Sequence, residues 1–403
     1  MSGKCDVKYW LWLQYALGAG APIKGVIDEF GSPQKLYIMN ILEWRMSPSL
    51  SAKQIERLES TTLNDVEQII YSCEQNGWKI IAYDDERYPQ KLRNIPNPPA
   101  VLYVDGELTS FDDHAVIGIV GTRKASPYAQ KVAKVMAKGL SLCNAVVVSG
   151  GALGVDSAAH EGAFSAGAKT FAVLGNGFAS GYLKANQELR DKIVETGGAL
   201  ITEYPPFYQA TKYTFPTRNR IISGLSDGVL VVEAGEKSGS IITATHAAEQ
   251  GRDIFAIPAS ILDYNFLGTN KLIDDGATVA TSPAIILEKY EYKYKTLDMS
   301  KLKTVRELFE TKTDEANASK KDPQVSFDTI KRERAERLKK EEIALGLEGN
   351  ENLVYKALGD ELSAVDEISE KSGLDSSKAL AALTMLEMKG LAESASGKRY
   401  RLK

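Results

Sequence analysis

Between Ala115 and Glu288, short apolar runs alternate with longer stretches in which apolar residues recur every three or four positions. The runs are Ala115–Val120, Ala145–Ser149, Lys169–Leu174, Ala199–Glu203, Gly228–Glu233 and Asp253–Ile257, and their β-branched content marks them as strands. Helical spacing fills Tyr128–Leu142, Val155–Ala166, Ala185–Glu195 and Ile241–Gln250 between them. Continuous apolar runs belong to strands covered on both faces. The order therefore predicts βαβ units and a parallel, doubly wound α/β sheet. Polar residues gather at the carboxyl ends of the strands, the edge at which open α/β sheets bind ligands.

The flanks follow other patterns. Residues 1–79 carry helical periodicity in Tyr9–Leu17, Ile23–Phe30 and Val66–Ile70, broken at Gly18-Ala19-Gly20 and Gly31-Ser32-Pro33, and predict a small helical bundle. Its basic residues are few and dispersed, so it reads as a packing or protein-contact module. In the opening of the central domain, 80–288, Pro89, Pro96, Pro98 and Pro99 predict an extended connector without helix, followed by an edge strand at Ala100–Val104. Residues 289–350 hold too few apolar residues for a core and read as a charged tether, with a solvated helix at Lys331–Leu345. From 351 to 403, three helices and a strand pair around Gly397 follow the winged helix-turn-helix plan. Its second-motif helix, SSKALAALTMLEMK, has only Lys378 and Lys389 as cations, beside Glu387, while Lys398, Arg399 and Arg401 lie on the wing and tail. That charge pattern favours a protein or dimer contact over base reading.

Composition narrows the function. The chain of 403 residues, 43% hydrophobic and 25% charged, suits a globular protein of two or three domains. No apolar run reaches membrane-spanning length and the N-terminus lacks a signal-peptide pattern, so a cytoplasmic location is expected. A formal net charge of -4 means that any nucleic-acid site must be a local basic groove. Cys5, Cys73 and Cys143, like His114, His160 and His246, are scattered, and neither a metal nor a cofactor is expected. Dinucleotide and phosphate-loop fingerprints are missing from the sequence, which gives no support to ATP hydrolysis. Asp156 and His160 stand four apart on one helix and read as helix-stabilising, with His160 at a buried edge. No nucleophile is visibly partnered, so catalysis is not expected.

The loops after the strands carry the chemistry: Gly121-Thr122-Arg123, Ser149-Gly150-Gly151, Gly175-Asn176-Gly177, Glu203-Tyr204-Pro205 and Glu233–Ser240. In a parallel sheet they form one surface, where glycines let backbone N–H groups approach an anion. Alone, the glycine loop says little, since tight turns also need glycine. Arg123, together with Lys212, Arg218 and Arg220 interleaved with Tyr213 and Phe215, is more specific. Cations for phosphates beside aromatics for bases compose a single-strand groove, in which each stacked base contributes about 1–3 kcal/mol. The competing arrangement puts Phe215 in the core and pairs Arg218 or Arg220 with Asp227 or Glu203; the cluster as a set favours the groove.

IVGTRKAS at 119–126, SGGALGVDSAAHEGA at 149–163, FPTRNRIISGLSDGVLVVEAGEKSGSIITA at 215–244, GTNKLIDDGA at 268–277 and IPNPPAVLYVDG at 95–106 closely resemble the DNA-processing protein A family, DprA or Smf. The resemblance covers Ile80–Ser282; the N-terminal bundle is similar to the family's sterile-alpha-motif-like domain and the tail to its winged helix. It implies an extended Rossmann-like fold that dimerises and binds single-stranded DNA with little sequence preference. It also implies loading of RecA recombinase and protection of incoming strands in natural transformation. The residues matching the family's DNA contacts are Arg123, Lys212, Phe215, Arg218 and Arg220, with backbone donors from Ser149, Gly150 and Gly151. Leu153, where many relatives carry a basic residue, Tyr182-Leu183 in place of Tyr-Pro, and the charged insert before the tail depart from the pattern. A second reading is a nucleotide-processing enzyme similar to the lysine-decarboxylase-like phosphoribohydrolases. Glu236–Ala244 lacks that group's double glycine and following glutamate.

Overall fold

The structure, a computed structural model, describes residues 5–181, 186–310, 347, 349–358, 362–395 and 399–402. The expectations for Tyr182-Leu183, the Lys331–Leu345 helix, Gly397 and Lys398 lie outside these. The chain divides into two compact units, 1–319 and 320–403.

The first unit opens with six helices, α1 Val7–Leu17, α2 Ile23–Phe30, α3 Pro33–Ile38, α4 Ile41–Arg45, α5 Ala52–Ser60 and α6 Asn64–Asn76. Side-chain caps fix several starts: Asp6 accepts from Lys8 N, while Asn40 with Glu43 and Ser51 with Gln54 form capping boxes. The core is aromatic, with Trp10, Trp12 and Leu13 buried and Trp12 Nε1 donating to Thr61 O at 2.9 Å.

The sheet follows, with β1 Lys79–Ala82, α7 Gln90–Arg93, β2 Val101–Gly106, β3 Val116–Val120, α8 Pro127–Leu142, β4 Val146–Ser149, α9 Val155–Ser165 and β5 Thr170–Leu174. It continues through α10 Gln187–Glu195, β6 Ala199–Thr202, α11 Thr214–Leu225, β7 Gly228–Val231, α12 Gly239–Glu249, β8 Asp253–Ala256, α13 Leu267–Asp274, β9 Thr278–Val279 and α14 Pro283–Leu287. Nine strands lie in the order β1-β2-β6-β5-β4-β3-β7-β8-β9. All pairs from β6 to β9 are parallel, and β1 and β2 add an antiparallel margin. Every residue of β3, β4, β5, β6 and β7 is buried, because helices cover both faces. Ile117, Ile119 and Val147 pack with α8 and α9 on one face; Val116, Val148 and Phe171 pack with α11 on the other. The strand order reverses between β3 and β7, so a crevice opens there at the carboxyl edge.

Three expectations change. Val101–Gly106 lies between β1 and β6, so the edge belongs to β1. The proline-rich connector contains a helix, α7: Pro89 stands at its N-cap, a position with no intrahelical donor to lose. The start of the expected tether is packed against the sheet, with Tyr290 and Tyr294 buried. Their hydroxyls donate to Asp253 at 2.7 Å and Asp227 at 2.6 Å, and Lys91 and Lys293 also reach Asp227, at 2.6 and 2.8 Å. Beyond it, α15 Val305–Glu310 lies on α8 through Leu308.

In the second unit, α16 Gly349–Ala357, α17 Val365–Ser372 and α18 Ser376–Met388 surround Val354, Ile368, Leu383 and Leu386. β10 Ser363–Ala364, β11 Ala392–Ala395 and β12 Arg399–Leu402 form a small antiparallel sheet in the order β10-β12-β11. Three of its described cations are paired locally: Lys378 with Asp375, Lys389 with Glu351 and Arg401 with Glu393.

Candidate nucleic-acid interface

The turn after β3 forms one wall of the crevice. Thr122 N donates to Glu233 O at 2.9 Å, and Val155 N, at the start of α9, donates to Thr122 O at 3.2 Å. Gly154 holds φ at +81°, and a Cβ there would run into the Thr122 carbonyl, so glycine is what lets the turn seat under α9. Glu233 accepts from Ser126 N at 2.9 Å and Ser126 Oγ at 2.7 Å, tying the end of β7 to the start of α8. On this clamped base Arg123 is exposed, with its guanidinium 4.4 Å from the centre of the Phe215 ring.

Phe215 is half-buried at the start of α11. A Cβ on Gly175 would lie 3.0 Å from its ring, so the glycine after β5 makes room for the aromatic. The preceding loop presents Lys212, exposed, 5.0 Å from the ring of Tyr213, which is itself 71% exposed. Tyr208 is stacked on buried Tyr204 at 5.0 Å, and its backbone carbonyl accepts from Gly177 N at 2.9 Å.

The glycine loop after β4 is buried, as is Ser149, whose hydroxyl donates to Ile119 O at 2.6 Å. Arg218 reaches the loop from α11: Nη1 donates to Gly150 O at 2.7 Å and to Val173 O. Asp156 accepts from Ala152 N at 3.3 Å, and a Cβ on Gly150 would meet both Arg218 and Asp156. Burial pushes the Asp156 carboxyl up, against the pull of Arg218, and pushes Arg218 down to about 10. Arg123 is near enough for its charge to lower Arg218 further.

Arg220 is buried too, with Nη2 2.6 Å from both Glu203 oxygens. Glu203 also accepts from Gly20 N at 3.0 Å through Oε1 and from Gln14 Nε2 at 2.7 Å through its backbone carbonyl. The pair therefore fastens the helical bundle to the sheet. Of the four pairings open from sequence, the structure makes Arg220–Glu203; Asp227 takes lysines instead. The candidate set thus splits: Arg123, Lys212 and Phe215 reach the surface of the edge, whereas Arg218, Arg220 and Ser149–Gly151 lie beneath it.

His160 is fully buried, as expected. Thr170 donates its hydroxyl proton to Val147 O at 2.9 Å, so at the 2.8 Å contact Thr170 Oγ1 accepts and His160 Nδ1 carries the ring proton and donates. Burial holds the ring neutral, lowering its pKa to about 3. Among the described residues no group of three or more His, Cys, Asp or Glu is placed to hold a metal, and no helix is long and apolar enough to cross a membrane. Two features escaped the sequence reading. Tyr208 projects from a loop whose stacking on Tyr204 has no local signature. Lys131 and Lys134 were legible, since i,i+3 spacing places them on one face of α8.

Residues 79–291 match the family described as DNA recombination-mediator protein A, and residues 339–398 match the DprA winged helix domain. The DNA processing protein DprA of Bacillus subtilis is 38% identical over 251 residues, covering 60% of this chain and 84% of that protein. Its counterpart in Streptococcus pneumoniae is 42% identical over 208 residues, covering 52% and 73%. The X-ray structure of the Streptococcus pneumoniae protein superimposes with a TM-score of 0.61 at 33% identity, covering 71% of this chain and 98% of that one.

Proposed function

The chain belongs to the DNA recombination-mediator protein A family, and from that premise we propose that the crevice edge of its sheet binds single-stranded DNA, without base sequence being read. The observation that carries this is the exposed Arg123 guanidinium set 4.4 Å from the Phe215 ring, with Lys212 and Tyr213 on the adjoining loop. A cation beside an aromatic face serves a strand twice, neutralising a phosphate and seating a base, and every base has a face to stack. Ser149, Gly150 and Gly151 supply the backbone floor. Arg218 and Arg220 act as positioning residues: one holds the Gly150 carbonyl, the other holds Glu203 and the bundle.

The reading carries no catalytic step. His160 is sealed away as a neutral ring, and Asp156 is occupied by Ala152 N beside Arg218. We infer further that the chain works in the cytoplasm as a homodimer, that it hands its strand to RecA recombinase, and that it protects incoming DNA during transformation or recombination.

The test is binding of the full chain to a labelled oligonucleotide, single against double stranded, at two salt concentrations. Strong, salt-dependent preference for the single strand supports the proposal. Equal or absent binding overturns it, and release of free base from nucleoside monophosphates would then become the assay for the phosphoribohydrolase alternative.

A further inference from the structure

A cavity of about 560 Å³ opens between α8 and α9, and Arg123 is among the residues that line it. Lys124, Lys131 and Lys134 line the α8 side, facing Leu153 and Glu161 from the α9 side. The three lysines are exposed, and Leu153 keeps 42% of its surface in water. Lys134 lies 3.5 Å from Glu161, and Lys131 lies 5.7 Å from the ring of Phe309 on α15. Four cations against one carboxylate leave the groove positive in a chain whose formal net charge is -4.

Resting on the single-strand reading above, we propose that this groove is a second phosphate track, which carries DNA leaving Arg123 along the α8–α9 seam. Arg123 belongs to both sites: its guanidinium stands by Phe215, and it also bounds the groove. A strand held by Arg123 is thereby shared between the Phe215 ring and the groove lined by Lys124, Lys131 and Lys134. The mixed lining suits a sugar-phosphate chain, with exposed cations along one wall and the apolar Leu153 on the other. Exposed lysines pair with phosphate as point charges, so the track reads charge and not base identity.

The experiment compares oligothymidylates of about 4 and about 16 nucleotides, the span of site sizes of OB folds, taken as a scale for one short and one long occupancy. Wild type, Lys131→Ala/Lys134→Ala and Leu153→Lys are titrated over a range of salt. Each phosphate contact contributes about 0.7 to the logarithmic salt slope on single strands. The double variant is expected to lose about 1.4 of slope on the long oligonucleotide and nothing on the short one, and Leu153→Lys to gain about 0.7 on the long one. An unchanged slope for both variants on the long oligonucleotide overturns the track, as does an equal loss at both lengths, which would mark a bulk-charge effect. Arg123→Ala/Lys212→Ala separates the two levels. If that variant loses affinity while the groove variants do not, the track alone fails; if wild type ignores both oligonucleotides, the single-strand reading fails with it.

Discussion

Arg123 and Lys212, exposed at the sheet edge, and Arg218 and Arg220, buried beneath it on α11, carry the same charge and do different work. The outer pair stays hydrated, so it can exchange counterions for a phosphate. The inner pair has been desolvated against fixed acceptors, Gly150 O for one and Glu203 for the other. A buried guanidinium committed in this way cannot swing outward without leaving a buried oxygen unpaired. The difference teaches that a cluster of cations beside a ligand edge mixes ligand contacts with scaffold, and that burial tells them apart.

The sharpest way to break the comparison is Arg220→Ala, which strands the Glu203 carboxylate in the interior. It should cost about 3–5 kcal/mol in denaturant unfolding, whereas Arg123→Ala should stay within about 0.5 kcal/mol of wild type. Similar losses in both would erase the distinction. Gly150→Ala tests the floor the inner pair supports. The added methyl meets Arg218 and Asp156, so a loss of about 1–3 kcal/mol is expected, visible as a lower unfolding midpoint.

His160 sharpens the point with a third buried base. Its folded pKa of about 3 lies below the ordinary 6.5, so in acid the unfolded chain takes up a proton that the fold refuses. The stability tied to the neutral ring is complete above pH 6.5 and drains by about 1.4 kcal/mol per pH unit from there towards pH 3. His160→Asn should be flatter than wild type across that window; parallel curves would contradict the assignment. The smallest effect belongs to Tyr208→Ala. On the stacking scale it lowers single-strand affinity by about 1 kcal/mol and leaves the salt slope unchanged; a changed slope would assign the residue to the phosphates.

Much of the fold was legible because the central strands are buried on both faces and leave unbroken apolar runs, as in Val146–Ser149 and Gly228–Val231. Local sequence carried less where a partner is distant. Tyr290 and Tyr294 sit in a charged stretch and are buried because their hydroxyls find Asp253 and Asp227, 37 and 67 residues away in sequence. The short run Lys79–Ala82 becomes a strand by pairing with β2, which no pattern within it records. At the site, sequence drew one cluster of cations and aromatics but not the depth at which each residue lies. Nothing in FPTRNR separates Phe215 at the surface from Arg218 and Arg220 below; that depends on where α11 lies against β5 and on Glu203.

The measurement that bears most directly on this division is the salt dependence of single-strand binding by Arg123→Ala/Lys212→Ala beside wild type, with unfolding midpoints taken on the same preparations. The outer pair predicts a slope shallower by about 1.4, two phosphate contacts at about 0.7 each, with the midpoint unchanged. An unaltered slope at an unaltered midpoint would mean that the exposed cations do not touch the strand.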